Sequence, residues 1–131
     1  MKEVTAAIII EDDKVLIAKR KDGNIKGKWE FPGGKVEKGE SYEDCLIREI
    51  KEELNIEIEI IKHYQTNIHT YDNGVIKLIA FIAKAETFDF VLSVHDEIKW
   101  VDASELLNFD LAPADIPIAE QLIKDINNNI L

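Results

Sequence analysis

The chain has 131 residues, 46% apolar and 32% charged, with 26 acidic against 16 basic side chains and a net charge of −10. That length supports one domain, residues 1–131, with a single core, and the acidic balance offers no basic patch to a nucleic-acid polymer, though a small nucleotide arriving with a cation is still compatible. One cysteine, Cys45, excludes an internal disulfide and fits packing in a reducing, cytoplasmic setting, and the opening MKEVTAAIII is too short to span a membrane.

Val4–Ile10 is apolar and β-branched and predicts a buried strand; Glu11-Asp12-Asp13 turns, and Lys14–Lys19 returns as a second strand. Arg20–Lys28 is polar, carries Gly23 and Gly27, and reads as a loop, leading to a short extended piece at Trp29–Pro32. A helix follows, which Ser41 can cap and whose first turn carries Glu43 and Asp44. The alternation IEIEI over Ile56–Ile61 predicts a half-exposed strand. His63–Tyr71 and Val75–Ala85 flank Asp72-Asn73-Gly74 as a hairpin. Phe88–Val94 is less regular, Ile98–Val101 is a short strand, and Asp102 with Glu105 suggests a capped start to a brief helix ending at Leu107. After the irregular Asn108–Pro117, Ile118, Leu122, Ile123 and Ile126 give helical spacing that ends at Asn127–Asn129. Strands outnumber helices, so the class is α+β with a mixed sheet.

The chemistry concentrates between Gly34 and Ile56. On a helix, Glu49, Glu52 and Glu53 stand at i, i+3 and i+4 and crowd onto one face, while Leu46, Ile50 and Leu54 form a separate apolar stripe. Like charges so close repel, and Arg48 alone does not neutralise these three and Glu40. An all-oxygen cluster of this charge suits a hard divalent cation, Mg2+ first and Mn2+ second. A solvated acidic helix is the plainer reading of each glutamate taken alone, but not of the fixed spacing that joins them to Glu40 and the Gly33-Gly34 pair.

With that spacing the sequence resembles the Nudix hydrolase family over essentially its whole length. The family signature runs Gly, five residues, Glu, seven residues, Arg-Glu, an aliphatic, any residue, Glu-Glu, any residue, Gly, an aliphatic, and every fixed position matches except Asn55, which replaces the last glycine. Asn is the next most tolerant residue of the left-handed conformation expected there. The resemblance implies an α/β/α sandwich and hydrolysis of a phosphoric anhydride. It implies Glu49, Glu53 and the Gly33 carbonyl as metal ligands, with Glu52 either a ligand or the base that deprotonates water; we favour the base. Arg48 and Glu40 are expected to pair and fix the helix against its loop, with Gly34 giving close approach. Relatives often carry a further carboxylate six residues before a late tryptophan; before Trp100 that position is Val94, so Asp96 or Glu97 is the candidate, Glu97 being taken as the ligand. His95 in that loop can bond a backbone group or a phosphate, the structural role being preferred.

Outside the signature, Lys19-Arg20 can reach phosphate oxygens or form a surface pair; Lys35, which follows the glycines of WEFPGGK at the start of the signature, is taken with Arg20 as a candidate for binding substrate. In LAPADIP two prolines can hold Asp115 in one direction, as a hydrogen-bond acceptor for an exocyclic amine or as the N-cap of the last helix. Phe31 can pack against a base or in the core. These segments resemble the MutT-like branch, and LAPADIP its CTP pyrophosphohydrolases, implying (d)NTP hydrolysis to monophosphate and pyrophosphate with preference for cytidine nucleotides or oxidised purines such as 8-oxo-dGTP. ADP-ribose or dinucleoside polyphosphates, with Tyr71 stacking an adenine, form the enzymatic alternative. A non-catalytic nucleotide sensor is the other class, disfavoured because every carboxylate of the signature is present. The expected partner is a small-molecule nucleotide, for a monomer or a homodimer.

Overall fold

The computed structural model describes all of residues 1–131. Its elements are β1 (Lys2–Glu11), β2 (Lys14–Arg20), β3 (Trp29–Glu30), α1 (Tyr42–Leu54), β4 (Ile58–Tyr71), β5 (Gly74–Ala85), β6 (His95–Asp102) and α2 (Ile116–Asn127), with 3-10 turns at Ala103–Asn108 and Pro113–Asp115. The strands form one mixed sheet ordered β3-β2-β1-β5-β4, with β6 also on β2. β1 and β5 run parallel; the remaining pairs are antiparallel.

Side chains along β1 alternate between faces, as the two-residue period of a strand requires. Ala6 and Ile8 join Ile17, Leu78 and Ala80 beneath Ile118, Ala119 and Leu122 of α2. Ala7 and Ile9 join Leu16, Ile79 and Phe81 beneath Leu46, Ile50 and Leu54 of α1. The three α1 residues are fully buried, each contributing roughly 2 kcal/mol of apolar transfer. The result is the α/β/α sandwich expected from the resemblance. No helix is long and apolar enough to cross a membrane.

The site depends on a split in the sheet. β1 and β2 pair only at Ile10–Val15 and Glu11–Lys14, next to a turn whose Asp12 and Asp13 adopt positive φ. Beyond it the strands diverge and the segment after β3 enters the gap. The Ala7 amide donates to the Pro32 carbonyl at 2.7 Å, Thr5 to Gly34 at 2.8 Å, and Val36 to Glu3 at 3.0 Å. Gly33 is thereby pressed so tightly on Thr5 that a Cβ would overlap its carbonyl.

Three local expectations change. The strands predicted at Ile56–Ile61 and His63–Tyr71 are one strand, β4, with irregularities at Ile60/Lys62 and His63/Gln65. β5 offers backbone partners along its whole length, so pairing continues and bulges absorb the extra residues. The segment after β6 is a 3-10 turn without a side-chain cap, because the Asp102 carboxylate is taken by Lys14 Nζ at 3.1 Å. The last helix starts at Ile116, two residues before the apolar periodicity, since Pro117 is tolerated in a first turn.

Candidate active site

α1 begins where Ser41 accepts from the Asp44 amide and ends at Asn55, which adopts the left-handed conformation (φ 62°, ψ 28°) with its amide donating to the Lys51 carbonyl. Between these caps Arg48 lies at the centre of the acidic face. Its Nε and Nη2 donate to the two oxygens of Glu40 at 2.7 and 3.0 Å, a bidentate pair, and Nη2 also donates to the Lys35 carbonyl at 3.2 Å. Nη1 donates to Glu49 Oε1 at 2.9 Å and lies 3.3 Å from Glu52 Oε2. The arginine holds the Glu40 carboxyl down to about 2 and is itself pushed upward, chiefly by its bond to Glu40. Gly34 is the other half of this arrangement: the Glu49 carboxyl occupies the space a Cβ would need.

Glu53 is different in kind. It is only 7% exposed, Oε1 has no hydrogen-bond partner, and Oε2 is 4.0 Å from Arg20 Nη1. Desolvation, reinforced by the nearby Glu30 carboxylate, pushes its pKa to about 8, against the pull of Arg20. Burial likewise raises Glu49, with Arg48 opposing. The Gly33 carbonyl accepts no hydrogen bond from the chain. No three acidic, histidine or cysteine side chains converge closely enough to enclose an ion, because Arg48 draws Glu49 and Glu52 to itself. The donor set nonetheless fits a hard divalent cation: a buried unpartnered oxygen of Glu53, the unused Gly33 carbonyl, and the carboxylates of Glu49, one turn back, and of the adjacent Glu52.

A cleft of about 440 Å³ opens beside this face, and it gathers Arg20, Phe31, Lys35 and Asp115 together with Gly33 and Gly34. Phe31 is at once core and cleft wall, at 2% exposure. Asp115 is buried and makes no cap bond to α2, so the N-cap reading is corrected: its own backbone is helical (φ −87°, ψ −16°), whereas a cap residue is extended. Burial first, and Glu30 second, raise its carboxyl well above the usual range, with the Phe31 amide opposing, which favours the protonated form. Tyr71 also lines the cleft, its hydroxyl accepting from the Ala114 amide at 3.2 Å.

Glu97 and Asp96 stand elsewhere. Both are exposed, and Glu97 pairs with Lys99 at 3.7 Å outside the cleft. The carboxylate beside Glu53 is instead Glu30, whose Oε2 takes His95 Nε2 at 2.8 Å and Arg20 Nε at 3.2 Å. His95 is therefore bonded to a carboxylate, not to a backbone group or phosphate. Glu30 was missed by sequence reasoning; its one signal is an acid set between the buried aromatics Trp29 and Phe31.

Comparison with known proteins agrees with this fold. The NUDIX domain model matches residues 1–122. The chain is 39% identical over 123 residues to the CTP pyrophosphohydrolase of Escherichia coli (strain K12), covering 92% of this chain and 90% of that one. It is 31% identical over 128 residues to a Mycobacterium tuberculosis protein provisionally named 8-oxo-dGTP diphosphatase 2, covering 96% and 91% of the two chains. Among solved structures, that of the E. coli ORF135 protein superposes with a TM-score of 0.82 at 37% identity, over 95% of this chain and 90% of the other. With the signature on α1, the sandwich around it and matches of this extent, the chain belongs to the Nudix hydrolase family.

Proposed function

We propose that the protein is a Mg2+-dependent nucleoside triphosphate pyrophosphohydrolase that converts a (d)NTP and water to the (d)NMP and pyrophosphate, favouring cytidine nucleotides. The observation that carries this reading is a cleft whose wall holds the buried Asp115 together with Gly34 and Arg20, the two residues that adjoin Glu49 and Glu53 of α1. Glu49, Glu53 and the Gly33 carbonyl would hold the cation, with Mn2+ as a substitute. Once bound, it would neutralise developing charge on the phosphates and acidify a water. Glu52, the most solvent-open carboxylate of the three, is suited to take the water's proton. Arg20 and Lys35 would meet phosphate oxygens. Arg48 positions Glu49 and, through Glu40, the loop before α1.

In the protonated form that burial favours, the Asp115 carboxyl offers one acceptor and one donor side by side. Cytosine presents the complement, an amine at C4 next to an unprotonated N3. Guanine-type recognition through N1–H and the N2 amine needs two acceptors, hence an ionised Asp115, which burial opposes. That difference ranks cytidine nucleotides above 8-oxo-dGTP, and the 39% identical CTP pyrophosphohydrolase points the same way. Free nucleotides in the cytosol are the corresponding substrate pool.

The test is pyrophosphate release with Mg2+ from CTP, dCTP, 5-methyl-dCTP, UTP, dGTP and 8-oxo-dGTP, with ADP-ribose and diadenosine tetraphosphate scored by their own products. Cytidine nucleotides should lead. A lead for 8-oxo-dGTP would replace the base assignment, and a lead for ADP-ribose or the dinucleotide would overturn the cleft reading.

A further inference from the structure

The cation at Arg20 is held unevenly. Its Nε is anchored 3.2 Å from Glu30 Oε2, and that oxygen is itself fixed by His95 Nε2 at 2.8 Å, the imidazole being fully buried. Its other end is loose: Nη1 stands 4.0 Å from Glu53 Oε2, and the side chain, 28% exposed, opens into the cleft. Glu53, with one oxygen unpartnered, has no other cation at ion-pair distance. We infer that Arg20 is a built-in counter-ion, resting on Glu53 while no divalent cation is bound and turning to the nucleotide's phosphates when one is. The inference rests on Glu53 being a cation ligand, as proposed above.

The physical argument is one of competing charges. A divalent cation on Glu53 places two positive charges beside Arg20 Nη1, 4.0 Å from that carboxyl, and repulsion then exceeds the attraction the carboxyl offered it, whether protonated or ionised. Nε remains on Glu30, so the side chain has a pivot and need not lose all its bonds. The end it frees lies on the wall of the same cleft as Lys35 and Gly33, where triphosphate oxygens would compensate it. Arg20 therefore opposes binding of the bare cation and favours binding of cation and nucleotide together, which couples the two events reciprocally.

Mn2+ binding to the full chain, followed by electron paramagnetic resonance without nucleotide, reads this directly. Arg20→Ala should bind Mn2+ about tenfold or more tighter than the parent protein. The same variant with Mn2+ present should bind a non-hydrolysable CTP analogue about tenfold or more weaker. Unchanged or weaker Mn2+ binding by Arg20→Ala would overturn the counter-ion role while leaving the metal site intact. Failure of the parent protein itself to bind Mn2+, with Glu53→Gln indistinguishable from it, would instead bring down the metal reading and this one with it. If Arg20→Ala does not fold, Arg20→Gln removes the charge with less loss of packing and is judged by the same two outcomes.

Discussion

At the scale of single residues, protonation decides what Asp115 can read. A neutral carboxyl and an amide present the same pairing of one acceptor with one donor, so Asp115→Asn should keep most dCTP turnover. Asp115→Ala should lower kcat/KM for dCTP on the order of tenfold to a hundredfold, the equivalent of one or two hydrogen bonds. Equal loss in both variants would mean that the ionised form is the reader. Gly34 makes a sharper demand, because a Cβ there displaces the Glu49 carboxyl. Gly34→Ala is expected to cost on the order of a hundredfold in kcat, with circular dichroism unchanged; near-normal kcat would show that Glu49 need not lie over the glycine. That Glu49, Glu52 and Glu53 share one helix was legible in the sequence from spacing alone; that Arg48 holds Glu49 and Glu52 apart from Glu53 was not. Nor were Glu30 and His95: they meet across 65 residues, from β3 and β6, and no local pattern announces such a pair.

At the scale of elements, α1 shows which departures from a family pattern are compensated. Asn55 occupies a left-handed position where glycine relaxes the backbone, yet its Nδ2 donates to the Asp89 carbonyl at 3.0 Å. The segment it ties down also caps the helix: Val91 donates to the Leu54 carbonyl at 3.0 Å and Ser93 to that of Glu53 at 3.2 Å. Asn55→Gly trades an easier backbone, about 1 kcal/mol, for one lost hydrogen bond of similar size. Chemical denaturation should therefore show little net change, while hydrogen exchange at residues 89–93 quickens. A large fall in stability would mean that the Asn55–Asp89 bond outweighs the backbone gain. The caps of α1 were readable because Ser41 and Asn55 act on their own helix. The continuity of β4 was not, since it depends on a partner strand whose length the local alternation does not register.

At the scale of the molecule, the acidic site sets how stability answers pH when no cation is present. The Glu53 carboxyl has an ordinary value of 4.5 in an unfolded chain and about 8 here. Between those values the folded protein retains a proton that the unfolded chain has released, so stability falls as pH rises, by up to about 1.4 kcal/mol per unit from this group. Glu49 and Asp115, both raised by burial, act with the same sign, and so does self-repulsion at a net charge of −10. Glu40, lowered to about 2, works in the opposite direction, but its contribution is complete above about pH 4.5 and is lost only as pH falls toward 2. In chelator, therefore, the melting temperature should decline from about pH 5 to about pH 8. Glu53→Gln, which cannot ionise, should show a shallower decline and exceed the parent protein at the alkaline end. Added Mg2+ should reverse the order there, since the cation stabilises only a protein that can give up those protons. A melting temperature that rose with pH in chelator would mean that burial does not hold the proton on Glu53 in the metal-free fold.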